Sequence, residues 1–180
     1  GNHEGALKQY QQCMYTLAEN AIAAEDFELA AGYLSLIADY DNAESLRQKS
    51  VYLSAMQRKE DGDLSAAATL FASVPDYEDA ALQADACYDA YYQEAYAQAQ
   101  LAMDEKRYGD AVAALEYVSR DNMSEKYADI DDMYNRANYE YANALYADKK
   151  PYEALKYYNN ILDYKDVRSE KLDRVCYRIL

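Results

Sequence analysis

A pair of residues, a Tyr followed three positions later by an Ala, recurs four times along this chain. The pairs are Tyr15 with Ala18, Tyr52 with Ala55, Tyr96 with Ala99, and Tyr139 with Ala142. We call the four Tyr of these pairs the repeated tyrosines. Successive copies are 37, 44 and 43 residues apart. Self-similarity at such a period is typical of stacked helical repeats, in which each repeat packs only on its neighbours.

Composition favours helices for these repeats. The 180 residues include only 5 Gly and 2 Pro, too few for a chain of many tight β-turns, and 51% are hydrophobic, enough for a core. We therefore predict an all-α fold in which each copy consists of a helix A, a turn and a helix B. The turns are expected at Glu25-Asp26, Glu60–Asp63, Lys106-Arg107 and Lys149-Lys150.

Helix B is predicted from a second spacing. Twelve residues after the Ala of each pair comes another Ala, and apolar residues follow it four and seven positions later, which places them on one helix face. These three sets are Ala30, Ala67, Ala111 and Ala154, then Leu34, Phe71, Leu115 and Tyr158, then Ile37, Val74, Val118 and Ile161. The small Ala residues are expected to let helices A and B approach closely, where larger side chains would overpack.

A second Tyr marks the joint between one copy and the next. These joint tyrosines are Tyr40, Tyr77, Tyr127 and Tyr164. All but Tyr127 follow an Asp, and we expect the Tyr to fill the seam and the acids to favour the next helix N-terminus. Asp41 followed by Glu44 also has the spacing of a capping box.

Two insertions interrupt the regular period. Seven extra residues lie between Tyr77 and Tyr96, so helix A of the third copy is predicted to be longer than its neighbours by about two turns. Six more lie between Tyr108 and Tyr127, around Ser119–Met123. Either insertion can carry a function grafted on the scaffold or be neutral.

The copies resemble the tetratricopeptide repeat, which has a small residue in helix A, an Ala in helix B and an aromatic residue four positions later. The matching sets are Ala18, Ala30 and Leu34; Ala55, Ala67 and Phe71; Ala99, Ala111 and Leu115; Ala142, Ala154 and Tyr158. The family's period of about 34 residues and its Trp are not reproduced, with Met14, Val51, Ala95 and Asn138 at the Trp position. The Asp-Tyr-x-Asp sequence at the joints between copies also resembles segments found in helical-repeat proteins of bacteria.

The resemblance implies a right-handed α-solenoid of about four helix-turn-helix repeats, at residues 4–38, 41–74, 77–118 and 124–162, forming one domain over 1–180. Residues 165–180 are predicted to form a C-terminal capping helix, which covers the last apolar face. On this helix Lys171, Arg174 and Arg178 share one face, either solvated or in contact with a preceding copy.

The resemblance further implies that helices A line a concave groove that binds a peptide or protein segment. The residues matching the family's groove are the repeated tyrosines and, four positions later, the groove positions Glu19, Met56, Gln100 and Asn143. Exposed Tyr rings would make a good contact surface. The alternative is that the repeated tyrosines are core residues, and the general rule that apolar stripes pack inward favours this alternative.

The net charge and the reactive residues of the chain argue against several classes of function. A net charge of −15 argues against nucleic-acid binding. The single His, His3, has no partner for a catalytic triad or a metal site, and Cys13, Cys87 and Cys176 form no Cys-x-x-Cys pair and are expected to be buried free thiols. No stretch is apolar enough to span a bilayer. We therefore expect no enzyme activity, no cofactor, no metal and no membrane insertion by this segment.

Two functions remain. The first is an interaction scaffold that binds a peptide or protein, as a monomer. The second is a structural spacer or assembly element of a larger bacterial protein, with no ligand of its own. The sequence leaves the compartment open between the cytoplasm and the soluble exported part of a membrane-anchored protein.

Overall fold

The computed structural model of the chain describes residues 2–118, 123 and 126–179. Within these residues the regular structure is entirely helical, with nine α-helices, one π-helix and no strand. They are α1 (Asn2–Ala23), α2 (Phe27–Ser35), α3 (Ala43–Glu60), α4 (Leu64–Ala72), α5 (Ala80–Asp104), α6 (Tyr108–Leu115), α7 (Ile130–Ala147), α8 (Pro151–Asn159), the π-helix (Val167–Lys171) and α9 (Leu172–Ile179). The predicted all-α class is confirmed.

The helices pair in the order that the repeat predicts. Helices α1, α3, α5 and α7 are the A helices, and each is followed after a short turn by a nine- or eight-residue helix B, namely α2, α4, α6 or α8. Helix α5 has 25 residues against 18 in α3 and in α7, so the insertion does lengthen helix A of the third copy. Of the second predicted insertion, residues 119–122 lie outside the described residues, and Met123 is buried.

The chain divides into two compact units, Gly1–Tyr91 and Tyr92–Leu180, and the boundary falls inside α5. We call them unit 1 and unit 2. Unit 1 has apolar clusters around Ala18 and Leu34 and around Phe71. Unit 2 has one around Tyr158 and Val175, where α7, α8 and α9 meet.

Packing follows the repeated small and apolar residues. The Ala of every Tyr–Ala pair and the helix-B Ala of every copy are 0% exposed, and the residues four positions after the latter are at most 1% exposed. The apolar residues three positions further on are also buried, namely Ile37, Val74, Val118 and Ile161. Close contact between helices A and B therefore depends on Ala at these positions, as the sequence predicts.

The turns between helices A and B share one backbone device. Each places a residue with positive φ directly before the helix-B N-cap: Glu25, Gly62, Lys106 and Lys149 have φ between 59° and 82°. Only Gly62 adopts this conformation without a Cβ penalty. In the first two copies the N-cap side chain then closes the helix, since Asp26 accepts from Leu29 N and Asp63 from Ala66 N, both at 3.2 Å.

Three local expectations need correction. The capping box is wrong, because Asp41 lies in a left-handed turn and Glu44 binds Arg47 and Gln48 instead of reaching back. The capping segment is not one regular helix, since the π-helix precedes α9. The thiols are not all buried: Cys87 is buried, whereas Cys13 and Cys176 are exposed because they lie on outward-facing sides of α1 and α9.

Candidate functional site: the tyrosine clasps and the groove positions

Each repeated tyrosine is bound to the start of the following copy. Its hydroxyl donates a hydrogen bond to the residue that immediately precedes the next helix, and the four acceptors are Asn42, Asp79, Asp129 and Asp166. The O–O distances are 2.6 Å from Tyr52 to Asp79 Oδ1, 2.9 Å from Tyr96 to Asp129 Oδ1 and 2.8 Å from Tyr139 to Asp166 Oδ1. We call each such pair, with the joint tyrosine beside it, a tyrosine clasp.

The joint tyrosine completes the clasp by packing on the repeated one. Ring centroids are 5.8 Å apart for Tyr15 and Tyr40, 5.4 Å for Tyr52 and Tyr77, 4.2 Å for Tyr96 and Tyr127, and 5.8 Å for Tyr139 and Tyr164. Three pairs are tilted or edge-on, and the Tyr96–Tyr127 pair is stacked at 22°. Both arrangements are favourable for aromatic pairs.

Backbone turns hold the clasp in register. In the second copy, Tyr77 N donates to Val74 O at 3.0 Å and Ala80 N donates to Tyr77 O at 3.0 Å, so two consecutive turns fix Tyr77. Glu78 between them has a φ of 48°, and Asp41 and Lys165 occupy the equivalent place with φ of 46° and 49°. The residue after the acceptor is buried, at 0% exposure for Ala80, and this anchors the acceptor side chain beneath the tyrosine hydroxyl.

The hydrogen bonds of the second, third and fourth clasps each shift the pKa of one partner. The hydrogen bond to Asp79 raises the pKa of Tyr52 to about 12, with burial as the next cause, and the bond to Asp129 likewise raises the pKa of Tyr96. In the fourth clasp the hydrogen bond from Tyr139 lowers the pKa of Asp166 below its ordinary value. The second and third clasps therefore favour a neutral phenol, and the fourth favours the ionised form of Asp166.

The clasps bear on whether the repeated tyrosines are groove or core residues. All four are half-buried, their hydroxyls are bonded within the protein, and their rings pack on the joint tyrosines. The polar end that a ligand would use is thus engaged by the next copy. The partner-binding role predicted for the repeated tyrosines, Tyr15, Tyr52, Tyr96 and Tyr139, stays a prediction. Because the hydroxyls are engaged, only the ring edges are left to contact a ligand.

The groove positions differ from one copy to the next. Glu19 is exposed, and Met56 is half-buried against the apolar cluster around Phe71. Gln100 is exposed at the rim of a cavity of about 160 Å³. Asn143 is half-buried, accepts a hydrogen bond from the Tyr158 hydroxyl at 2.7 Å, and lines a cavity of about 100 Å³.

Two cavities of unit 2 contain a groove position, and these two carry opposite charge; another cavity, of about 470 Å³ between α5 and α6, contains none. The acidic cavity lies between the end of α5 and the start of α7 and is lined by Gln100, Asp104, Asp129, Asp132 and Arg136, with two Met. The cationic cavity lies among α7, α8, the π-helix and α9 and is lined by Asn143, Tyr146, Tyr158, Lys171, Arg174 and Val175. Each contains the groove position of its copy.

Unit 1 has a cavity of about 440 Å³ at the turns of the first two copies. Carboxylates of Glu25, Glu28 and Asp61 line it, and Arg58 is bound to Glu28 at 2.7 Å. Arg58 thus partly neutralises the carboxylates that line this cavity. No groove position lines it.

The described part of the chain contains neither a metal-binding cluster nor a helix that could span a membrane. Among those residues no group of three or more His, Cys, Asp and Glu side chains is placed to hold a metal ion. No described helix is both long enough and apolar enough to cross a membrane.

Sequence reasoning missed the clasp acceptors, although a signal was present. In the first, second and fourth copies an Asn or Asp follows the repeated tyrosine by 27 residues and the joint tyrosine by two. The sequence analysis considers only the acids that flank the joint tyrosines, whereas the acceptors are the residues directly before each helix, and their side chains bind the preceding tyrosine. Asn42, Asp129 and Asp166 accordingly make no capping hydrogen bond to their own helix.

Comparison of the chain with models of protein families, with curated proteins and with solved structures found no match.

Proposed function

We propose that this chain is a protein-interaction scaffold that binds a peptide or protein segment across the groove positions of its A helices, without catalysis of its own. The observation that carries the proposal is the pairing of cavities with groove positions in unit 2. Gln100 and Asn143 stand at equivalent places in successive copies, and each lines a cavity. Small concave sites of this kind accept individual ligand side chains.

The clasps support this function by making the surface rigid. Each of the first three fixes the start of one helix A against the preceding helix A, and the fourth fixes the start of the π-helix against α7, through a hydrogen bond and a ring contact. A surface that is ordered before binding loses less conformational entropy when the ligand arrives. The tetratricopeptide resemblance supports the same function, and the right-handed α-solenoid that it implies stays a prediction.

A structural spacer is the second candidate function. It is favoured by the same clasps, because all four repeated tyrosines direct their hydroxyls to the next copy. An array that only sets a distance would need these contacts and would not need the cavities. The two candidates therefore differ in whether the groove positions bind anything.

Selection of peptides on the intact chain tests the scaffold function. We would select binders from a random peptide library and measure their affinity for the wild type and two variants by fluorescence polarisation. Gln100→Arg changes a groove position, and Gln9→Arg makes the same change at an exposed position of α1 that lines none of the cavities described. We expect Gln100→Arg to weaken binding about tenfold and Gln9→Arg to leave it unchanged.

The opposite results would support the spacer. If no peptide is enriched, or if both variants bind every selected peptide as tightly as the wild type does, the groove positions are not a binding surface. Circular dichroism of both variants would confirm that their helix content is unchanged.

A further inference from the structure

We propose that unit 2 recognises an extended peptide segment that carries one basic and one acidic side chain three residues apart, the acidic one entering the cationic cavity and the basic one the acidic cavity. This inference rests on the proposed function and specifies the chemistry of the ligand. It follows from the charges of two cavities that share one face of α7.

The cationic cavity is unusual in a chain whose net charge is −15. Lys171 and Arg174 both line it, together with the amide of Asn143 and the phenols of Tyr146 and Tyr158. The two cations and the Asn143 amide are the donors for a carboxylate, since the Tyr158 hydroxyl donates to Asn143 Oδ1 and the Tyr146 hydroxyl to Arg174 O. A volume of about 100 Å³ accommodates a side-chain carboxyl group but not a large organic anion.

The two cations retain capacity for a ligand. Lys171 Nζ lies 3.7 Å from Asp166 Oδ2, beyond a good hydrogen bond, and its side chain is only 20% exposed. Arg174 Nη2 bonds Glu170 at 2.9 Å, but both side chains of that pair are more than half exposed. Such an exposed pair contributes little, so an incoming carboxylate can replace or share it.

The acidic cavity supplies the complementary half. Asp104, Asp129 and Asp132 line it against a single cation, Arg136. A ligand with only negative charge would meet these carboxylates and the acidic chain around them. A ligand that also carries a basic side chain avoids that repulsion and gains a second contact, which sets its register.

Helix geometry gives the spacing between the two ligand charges. Arg136 at the acidic cavity and Asn143 at the cationic cavity are seven residues apart on α7, which is two turns on one face and about 10 Å along the axis. A polyproline-type segment rises about 3.1 Å per residue with three residues per turn. Side chains three residues apart on such a segment point the same way and lie about 9 Å apart, close to the distance of about 10 Å between the two cavities along α7.

The test uses capped peptides and the intact chain. The probes are Gly-Lys-Pro-Pro-Glu-Gly and its reversed-charge order Gly-Glu-Pro-Pro-Lys-Gly, each also made with Gln in place of Glu and with Gln in place of Lys. Binding is measured by titration calorimetry at low salt. We expect one order to bind, and either Gln replacement to weaken that peptide about fivefold.

Variants of the chain assign the charges to their cavities. Arg174→Gln should weaken the Glu peptide about fivefold without affecting the peptide that has Gln in its place, and Arg174→Lys should retain binding. Arg168→Gln is the matched control, because Arg168 is an exposed, ion-paired cation outside the cavity. In the acidic cavity, Asp132→Asn should weaken only the peptides that contain Lys.

Two results would overturn the inference. One is binding that does not depend on Glu or on Arg174, and the other is no binding of either charged order at millimolar peptide. If library-selected peptides nevertheless bind and depend on Gln100, the scaffold function stands and only the charge-pair specificity is wrong. If neither set binds, both proposals fail.

Discussion

Replacing Tyr139 by Phe isolates the hydrogen bond of the fourth clasp. The Tyr139 hydroxyl is 2.8 Å from Asp166 Oδ1, and the ring contacts with Tyr158 and Tyr164, at 6.4 and 5.8 Å, survive in the variant. A hydrogen bond to a charged group contributes about 1.5–3 kcal/mol. Because Asp166 is partly exposed and also faces Lys171, we expect the free energy of unfolding at pH 7 to fall by about 1–2 kcal/mol.

The effect should depend on pH with a definite sign. The bond from Tyr139 is the first cause of the lowered pKa of Asp166, so the folded-state pKa lies below the unfolded value of about 3.9. Stability from this carboxylate is present above that unfolded pKa and is lost as the pH falls through the folded-state pKa. The difference between wild type and Tyr139→Phe should therefore shrink as the pH is lowered from 7 towards 3.

Urea unfolding followed by circular dichroism at both pH values measures this difference. Tyr152→Phe is the control, since Tyr152 is 71% exposed in the same unit and its change should stay within about 0.5 kcal/mol. The clasp would be refuted as a source of stability if Tyr139→Phe behaved like this control, or if its effect were equal at pH 7 and pH 3.

Three further predictions concern a turn, the core and the thiols. Gly62→Ala should lower the free energy of unfolding by about 1–2 kcal/mol because the φ of Gly62 is 82°. Lys149→Gly at the equivalent turn should not lower it. Thermal unfolding that shows a similar loss of stability for both variants would contradict this prediction. Ala67→Leu should cost about 1–3 kcal/mol at a site that is 0% exposed, against little change for exposed Ala113→Leu in the same assay. With a thiol reagent, two of the three cysteines should react rapidly and Cys87 only after unfolding, so three fast equivalents would show that Cys87 is accessible.

The repeat pattern was sufficient to predict the helices and their packing faces. Ala111 and Leu115 are four residues apart in the sequence and both are 0% exposed, because residues four apart lie on the same face of a helix with 3.6 residues per turn. The length of α5 followed from a simple count of inserted residues. These are local properties, and one sequence contains enough information to determine them.

The clasps and cavities depend on contacts between copies, which a local pattern does not specify. Asp79 can be interpreted from the sequence either as a helix-dipole residue or as an acceptor for Tyr52, and the hydrogen bond that decides between the two joins residues 27 positions apart. Arg178 likewise donates to Tyr146 O at 3.2 Å, so the basic face of α9 contacts the preceding copy, an alternative that the sequence had left open.

The most direct test of the account is nuclear magnetic resonance of the isotope-labelled chain with a library-selected peptide. The account predicts that amide shifts concentrate around Gln100, Asn143 and Arg174, at the rims of the acidic and cationic cavities. Shifts confined to the helix-B surfaces, or the absence of any shift at saturating peptide, would contradict the claim that the groove positions of the A helices form the binding surface.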